Sequence, residues 1–397
     1  MRFLDEVDLK EKRVLMRADF NVPLDKNHKV TDDKRILAVL PSLRKLLGEQ
    51  CRVILASHLG RPKGKVVADM SLQPVAENLS QLIGRPVVLA PDCIGPEVVS
   101  LVEALQPGQV LLLENLRFHP EEEQNDPGFS KALAALCDVY VNEGFAVSHR
   151  AHASVDGITR YAKVCVGGYQ LQQEINYFHK AFDHPERPVA VVIGGAKVSS
   201  KIGVLTNILP KTEHLFIGGA MANTFLKAQG MAVGASLVED DYLDTARDLL
   251  AQAAKGGVNL HLPVDVVVAA GLEDSANVRV VSVDQIPPGM QALDVGPKTV
   301  GQFTAALKTC RTIVWNGPLG VFETPPFHQA TFALAQFLGE AQALTVIGGG
   351  DSASAVRKAG VADKVSYVST GGGAFLEMME GKVLPGIAAL DECAQKT

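Results

Sequence analysis

In the first half of the chain, cationic side chains follow apolar runs. Arg17 and Asp19 come after RVLM, Ser57-His58-Leu59-Gly60-Arg61 after VILA, Arg117 after VLLLENL, and His149-Arg150 after DVYVNEGFAVS. Parallel sheets bind ligands at the carboxyl ends of their strands. Arginine forks match phosphate and carboxylate oxygens in pairs, and histidine donates to the same oxygens. Any one such arginine is more often a surface ion pair, but several arginines and two histidines at strand ends predict a pocket for a small anion. His152, close behind, reads instead as a satisfied buried histidine. The second half offers VVIGGAK ending at Lys197, LFIGGAM ending at Met221 and TVIGGGD ending at Asp351. Three strands that run into glycines predict a shelf where a ligand approaches the backbone, because no Cβ stands in the way.

The pattern GxxxxGK[ST] is absent, which argues against a Walker-type ATPase. Residues 348–353 satisfy G-x-G-x-x-A, but the acid expected about 20 positions on for a dinucleotide ribose is missing. Ser369-Thr370-Gly371 stands there instead. The plain alternative is a tight turn without a ligand. An aspartate inside a phosphate-binding turn needs a cation between it and the phosphates, so Asp351 points to Mg²⁺ with ATP or ADP. Lys197 and Lys201, four apart in GGAKVSSK, are expected on one face of a helix following Gly195, beside its phosphate-favouring N-terminus. Solvated lysines are the alternative. Arg35 is expected near the start of a helix whose N-cap or first-turn acid is Asp32 or Asp33.

Short Val/Ile/Leu runs alternate with helical patterns along all 397 residues, the signature of parallel α/β sheets, and the length favours two domains. Strands are expected at 13–17, 52–56, 86–90, 110–113 and 138–142, then at 189–193, 214–217, 264–269, 312–315, 343–347 and 365–368. Between the two sets, Leu171, Ile175, Phe178 and Phe182 form one helical stripe, stopped by Pro185 and Pro188. The fold expected is α/β, two Rossmann-like domains with parallel sheets joined by an inter-domain helix. The boundaries are 1–168, 169–185 for the helix, 186–380, and 381–397 for a tail packing back on the first domain. The glycines of Thr370–Gly373 make a second candidate pivot. A net charge of −6 argues against generic nucleic-acid binding. The six scattered cysteines read as reduced thiols in a cytoplasmic protein. No signal-peptide pattern opens the chain, and no apolar run approaches a membrane span.

The strings RVLMRADFNVPL, SHLGRPKG, LLLENLRFHPEEE, GFAVSHRAHAS, GGAKVSSKI, VWNGPLGVFE, GGGDSASAV and STGGGAFLEMMEGK occur in this order from residue 13 to about 382. Together they closely resemble the phosphoglycerate kinase family. The resemblance implies reversible phosphoryl transfer from 1,3-bisphosphoglycerate to Mg-ADP, giving 3-phosphoglycerate and ATP. It implies a cytoplasmic glycolytic monomer whose domains close about a hinge, with neither nucleic acid nor membrane as partner. Asp19, Phe20, Asn21, Arg35, His58, Leu59, Gly60, Arg61, Arg117, His149 and Arg150 would bind the phosphoglycerate. Gly195, Lys197, Lys201, Gly218, Gly219, Asn316, Glu323, Gly349, Gly350, Asp351 and Ser352 would bind the nucleotide, with Glu323 on the ribose and Asp351 toward magnesium. Arg35, Lys197, Gly350 and Gly373 would act on the transferring group. Ala220, Ser352 and Glu143 depart from glycine, threonine and aspartate, the usual family residues at these places. Two other classes remain open: an NAD-dependent oxidoreductase, which leaves both lysines idle, and a non-catalytic anion-binding protein, which needs no nucleotide shelf.

Overall fold

The computed structural model describes residues 1–396. It divides into two compact units, one formed by Met1–Ile175 with the segment from Val383 onward, the other by Asn176–Lys382.

The first unit carries β1 (Arg13–Arg17), β2 (Arg52–Ala56), β3 (Val87–Leu89), β4 (Val110–Leu112), β5 (Val139–Asn142) and β6 (Val164–Gly167). They form one sheet in the order β3-β4-β2-β1-β5-β6, and every pairing is parallel. The strands are buried on both faces, so their interiors read as continuous apolar runs instead of alternating. The chain leaves β1 toward β2 on one side and leaves β5 toward β6 on the other. The topological switch point therefore lies between β1 and β5, where Arg17 is paired with Asn142.

The second unit carries β7 (Val189–Ile193), β8 (His214–Ile217), β9 (Asn259–His261), β10 (Asp265–Ala269), β11 (Arg279–Ser282), β12 (Gln291–Val295), β13 (Thr312–Asn316), β14 (Leu344–Gly348) and β15 (Tyr367–Val368). Its main sheet runs β15-β14-β13-β7-β8-β9, again all parallel. The switch point falls between β7 and β13, where Ile193 is paired with Asn316. The run 264–269, expected among the parallel strands, belongs instead to a separate antiparallel sheet in the order β11-β10-β12. A buried valine run reads the same in either setting.

Helix Lys34–Gly48 starts after Asp33, whose side chain makes no capping bond; Asp32 Oδ1 accepts from the Lys34 amide at 3.1 Å instead. Helix Tyr169–Phe182 buries Leu171, Ile175, Phe178 and Phe182, and the boundary between the units falls inside it. The terminal helix Pro385–Gln395 is tied to the first unit through the Gly386 amide, which donates to the Ser148 carbonyl.

One expectation is overturned here. Cys165 on β6 and Cys393 on the terminal helix are joined as a disulfide, with Cα atoms 6.1 Å apart; Cys51, Cys93, Cys137 and Cys310 are free and buried. The two partners lie 228 positions apart. Only the return of the terminal helix to β6 brings them together, which no spacing rule reveals. Among the described residues, no helix is long and apolar enough to cross a membrane.

Candidate active site

At the first switch point the basic residues of separate loops converge. Arg17 is fully buried; its Nε donates to Ser154 Oγ at 2.8 Å, its Nη1 to the Ala18 carbonyl, and its Nη2 lies 3.2 Å from His58 Nδ1. Below it, buried Glu122 accepts from the Ser154 hydroxyl at 2.6 Å and from the Ser154 amide at 2.9 Å. Burial pushes the Glu122 carboxyl up, against the opposing charge of Arg17 and the bonds from Ser154. A carboxylate under a buried guanidinium offsets a charge that would otherwise be costly to desolvate.

Around this pair, burial pulls His58 well below the ordinary histidine range, and the charges of Arg17, Arg117 and Arg35 add to the effect. His152 is pulled to about 3, by burial first and then by Arg17, Arg117 and Arg150. Its side chain is buried, as expected, and both rings are neutral at pH 7. Arg117 is itself destabilised as a cation by burial and by Arg17; its Nη1 donates to the Gly60 carbonyl at 3.0 Å. Arg35, half-exposed, is paired with Asp19, whose other oxygen accepts from the Asn21 amide at 3.1 Å. Asn21 Oδ1 in turn accepts from the Gly60 amide at 2.9 Å, and the buried Phe20 gives its amide to Ser57 Oγ at 2.8 Å. Gly60 sits at φ +64°, open to glycine at little cost. Leu59 is buried, and its carbonyl accepts from Asn115 at 2.8 Å. Arg61 and Arg150 are exposed, and among the described residues no side-chain hydrogen bond or ion pair holds them. His149 is half-buried beside Arg150. Exposed cations with unused donors and a buried Arg17–Ser154–Glu122 chain beneath them are an arrangement suited to a small anion.

At the second switch point the surface is backbone. The Gly194 amide donates to the Asn316 carbonyl at 2.9 Å and the Gly195 amide to the Pro318 carbonyl at 3.1 Å. A Cβ on Gly219 would lie 2.6 Å from the backbone of Gly195, and one on Gly218 would lie 2.4 Å from Leu319, whereas Gly195 faces open space. Lys201 Nζ donates to Asn316 Oδ1; burial pulls this lysine below its ordinary range, while Asp351 and Glu380 oppose the shift. Lys197 is exposed. The helix expected to carry both lysines does not begin until Ile202, with Lys201 as its N-cap. Residues 197–201 form a turn because buried Val198 anchors them and Glu239 accepts from both the amide and hydroxyl of Ser199. Gly349, at φ +91°, opens helix Gly350–Lys358, placing exposed Asp351 in its first turn. Gly373 is exposed in the first turn of helix Gly372–Met379, and a Cβ on Gly372 would come within 3.2 Å of Gly349. Glu323 is exposed in the loop after β13, and among the described residues no hydrogen bond or ion pair ties it to the crevice.

The phosphoglycerate kinase family model matches residues 4–382. A phosphoglycerate kinase from Syntrophobacter fumaroxidans is 62% identical over 397 residues, covering 100% of both chains, and one from Synechococcus elongatus is 56% identical over 98% of each. The solved phosphoglycerate kinase of Coxiella burnetii superposes with a TM-score of 0.89 at 41% identity, over 98% of this chain and 99% of its own.

The chain belongs to the phosphoglycerate kinase family.

It is accordingly a phosphotransferase with a carboxyl acceptor, a kinase of glycolysis. For a phosphoglycerate kinase, its departures from the usual residues have local accounts. Ser352 is buried and its hydroxyl accepts from the Gly317 amide at 2.7 Å. Ala220 is the N-cap of helix Met221–Ala228. Glu143 accepts from Ser42 Oγ at 2.6 Å and from the Gln170 amide at 3.1 Å, so it caps helix Tyr169–Phe182, and burial pushes its carboxyl up to about 8. Glu122 and Ser154, the support beneath Arg17, escaped sequence reasoning. Glu122 sits in an acidic triplet that reads as solvated surface, and nothing in its neighbours signals burial.

Proposed function

We propose that the protein reversibly transfers a phosphoryl group from 1,3-bisphosphoglycerate to Mg-ADP, giving 3-phosphoglycerate and ATP. The observation that carries this reading is the pairing of two unlike crevices, each at the switch point of its own sheet. One is a cluster of cations around Arg17 and His58; the other is the glycine backbone between Gly194 and Gly349 with Lys201 beside Asn316. The first suits the phosphate and carboxylate of phosphoglycerate, with Arg61, Arg117 and Arg150 as phosphate ligands and Asp19, Asn21 and His58 on the rest of the molecule. The second suits a nucleotide, with Lys201 and Asn316 on its phosphates and Glu323 on its ribose.

The acceptor carboxylate is already ionised at pH 7, so the reaction needs no general base. The buried histidines, neutral and enclosed by arginines, fit a donor role and not proton removal. What remains for the chain is to align the reactants and offset charge on a loose phosphoryl transition state, which we assign to Arg35, Lys197 and the amides of Gly350 and Gly373. Asp351 fits magnesium: its carboxylate is exposed, in the first turn after the glycine strand end and near enough to Lys201 to oppose that lysine's shift, and Mg²⁺ typically takes one or two carboxylates with phosphate oxygens. The ion would supply charge neutralisation between Asp351 and the nucleotide. Substrates held on separate units require the units to close on each other, excluding water from a hydrolysable acyl phosphate. A cytoplasmic monomer is what the family resemblance implies for this chain. A coupled assay with ADP and 1,3-bisphosphoglycerate tests the reading: ATP should form only when both are present, and nicotinamide reduction without ADP would overturn it.

A further inference from the structure

A second chemical cluster lies in the first unit, outside the anion crevice. Asp92 and Cys93 are in the loop after β3, and His119 is in the loop after the neighbouring strand β4. One ligand atom from each, a carboxylate oxygen, Sγ and a ring nitrogen, lie within 4.8 Å of one another. His119 Nε2 is 2.7 Å from Asp92 Oδ1, and its other nitrogen is 4.0 Å from Glu121 Oε2. That Glu121 oxygen is buried with no hydrogen-bond partner. Packing of the His119 ring on Phe129, with centroids 5.4 Å apart, limits its orientation. Cys93 is fully buried, while the side chains of His119 and Asp92 are 26% and 46% exposed, which leaves an entry path from solvent.

We propose that Asp92, Cys93 and His119 bind a borderline-soft divalent cation, zinc by the chemistry of the set. Thiolate, imidazole and carboxylate together favour Zn²⁺ over Mg²⁺ or Ca²⁺, and three protein ligands leave a fourth, open position. Binding releases the thiol proton to solvent. Thiolate and carboxylate then neutralise the ion, which suits a partly buried place. Glu121 supplies what a metal-bound histidine usually has, a carboxylate toward its other ring N–H. Zinc bonds of about 2.0–2.2 Å set an oxygen and a nitrogen ligand about 3.3 Å apart in a tetrahedron. The Asp92–His119 contact must therefore open by roughly half an ångström, which the exposed Asp92 side chain permits.

The test uses the full-length protein, stripped with a chelator under reducing conditions and titrated with Co²⁺ and then Zn²⁺. One equivalent of Co²⁺ should give a thiolate-to-cobalt band in the near ultraviolet together with tetrahedral visible bands, and Zn²⁺ should bleach both. Cys93→Ser should lose the thiolate band. Asp92→Asn, a change at an exposed side chain that should leave folding intact, should weaken Co²⁺ binding at least about tenfold. A missing band, a band that persists in Cys93→Ser, or unchanged affinity in Asp92→Asn would overturn the assignment.

Discussion

Arg17 Nη2 stands 3.2 Å from Nδ1 of His58, and both side chains are buried. A guanidinium can only donate, so Nδ1 must be the unprotonated nitrogen and Nε2 carries the proton. The arginine thereby fixes the tautomer that leaves Nε2–H as the ring's donor. Burial first, and then the charges of Arg17, Arg117 and Arg35, keep the ring from taking a second proton. Nitrogen NMR should show a neutral His58 with Nε2–H at pH 6, and an imidazolium there would contradict the arrangement. Linkage follows with a definite sign. The unfolded chain binds protons below about pH 6.5 that folded His58 and His152 do not. Their contribution is complete above that pH and is lost as pH falls toward their folded values.

Glu143 has the opposite sign. Its folded value of about 8 lies above the ordinary 4.5, so its contribution is present below pH 4.5 and lost as pH rises through 8. Glu143→Gln keeps an acceptor for Ser42 and Gln170 without a charge. It should melt at least about 2 °C above the parent at pH 9, with the gap closing by pH 5. Equal melting temperatures at pH 9 would show that Glu143 ionises without cost.

Arg35→Ala should lower turnover about 100- to 1,000-fold, the usual loss for one donor to a transition state, with little change in ADP affinity. Asp19, its partner, is largely buried and would keep only the Asn21 amide as a donor, so some loss of stability should accompany the change. Near-normal turnover at saturating substrates would remove Arg35 from the reaction.

Arg150 and Arg117 should separate by burial. Both changes to Ala should raise the KM for phosphoglycerate more than they lower kcat. Exposed Arg150→Ala should leave stability unchanged, whereas buried Arg117→Ala, which loses its bond to Gly60, should also lower the melting temperature. Unchanged phosphoglycerate affinity in both variants, measured by calorimetry, would misplace the anion pocket.

Asp351→Asn should leave metal-free ADP binding near normal and shrink the affinity gained on adding Mg²⁺, so that activity needs more magnesium to saturate. Superimposable magnesium titrations would leave Asp351 as a first-turn acid that only steadies its helix, worth about 1 kcal/mol or less.

Much of this could be read before any coordinates, because buried parallel strands leave long apolar runs that end in chemistry. Val189–Ile193 running into Gly194 and Gly195 is one such case, and Arg52–Ala56 running into His58 is another. What stayed hidden has no local signal. β11 is largely exposed, and β12 opens on two half-buried residues and carries Gln291 and Asp294, so their periodicity is weak. β6 is not among the expected strands either, although it is as long as β5. The Lys197–Lys201 spacing suits a helix, but a tertiary contact, Ser199 with Glu239, holds it as a turn. The Cys165–Cys393 bond and the burial of Glu122 under Arg17 exist only once distant segments meet.

Phosphate should move between the two ligands and not to water. Phosphorus NMR of the protein with Mg-ATP and 3-phosphoglycerate measures this directly. The γ-phosphate signal of ATP should fall only when 3-phosphoglycerate is present, as an acyl-phosphate signal and ADP rise together. Loss of the γ-signal without 3-phosphoglycerate, with inorganic phosphate as the product, would contradict transfer between the two ligands.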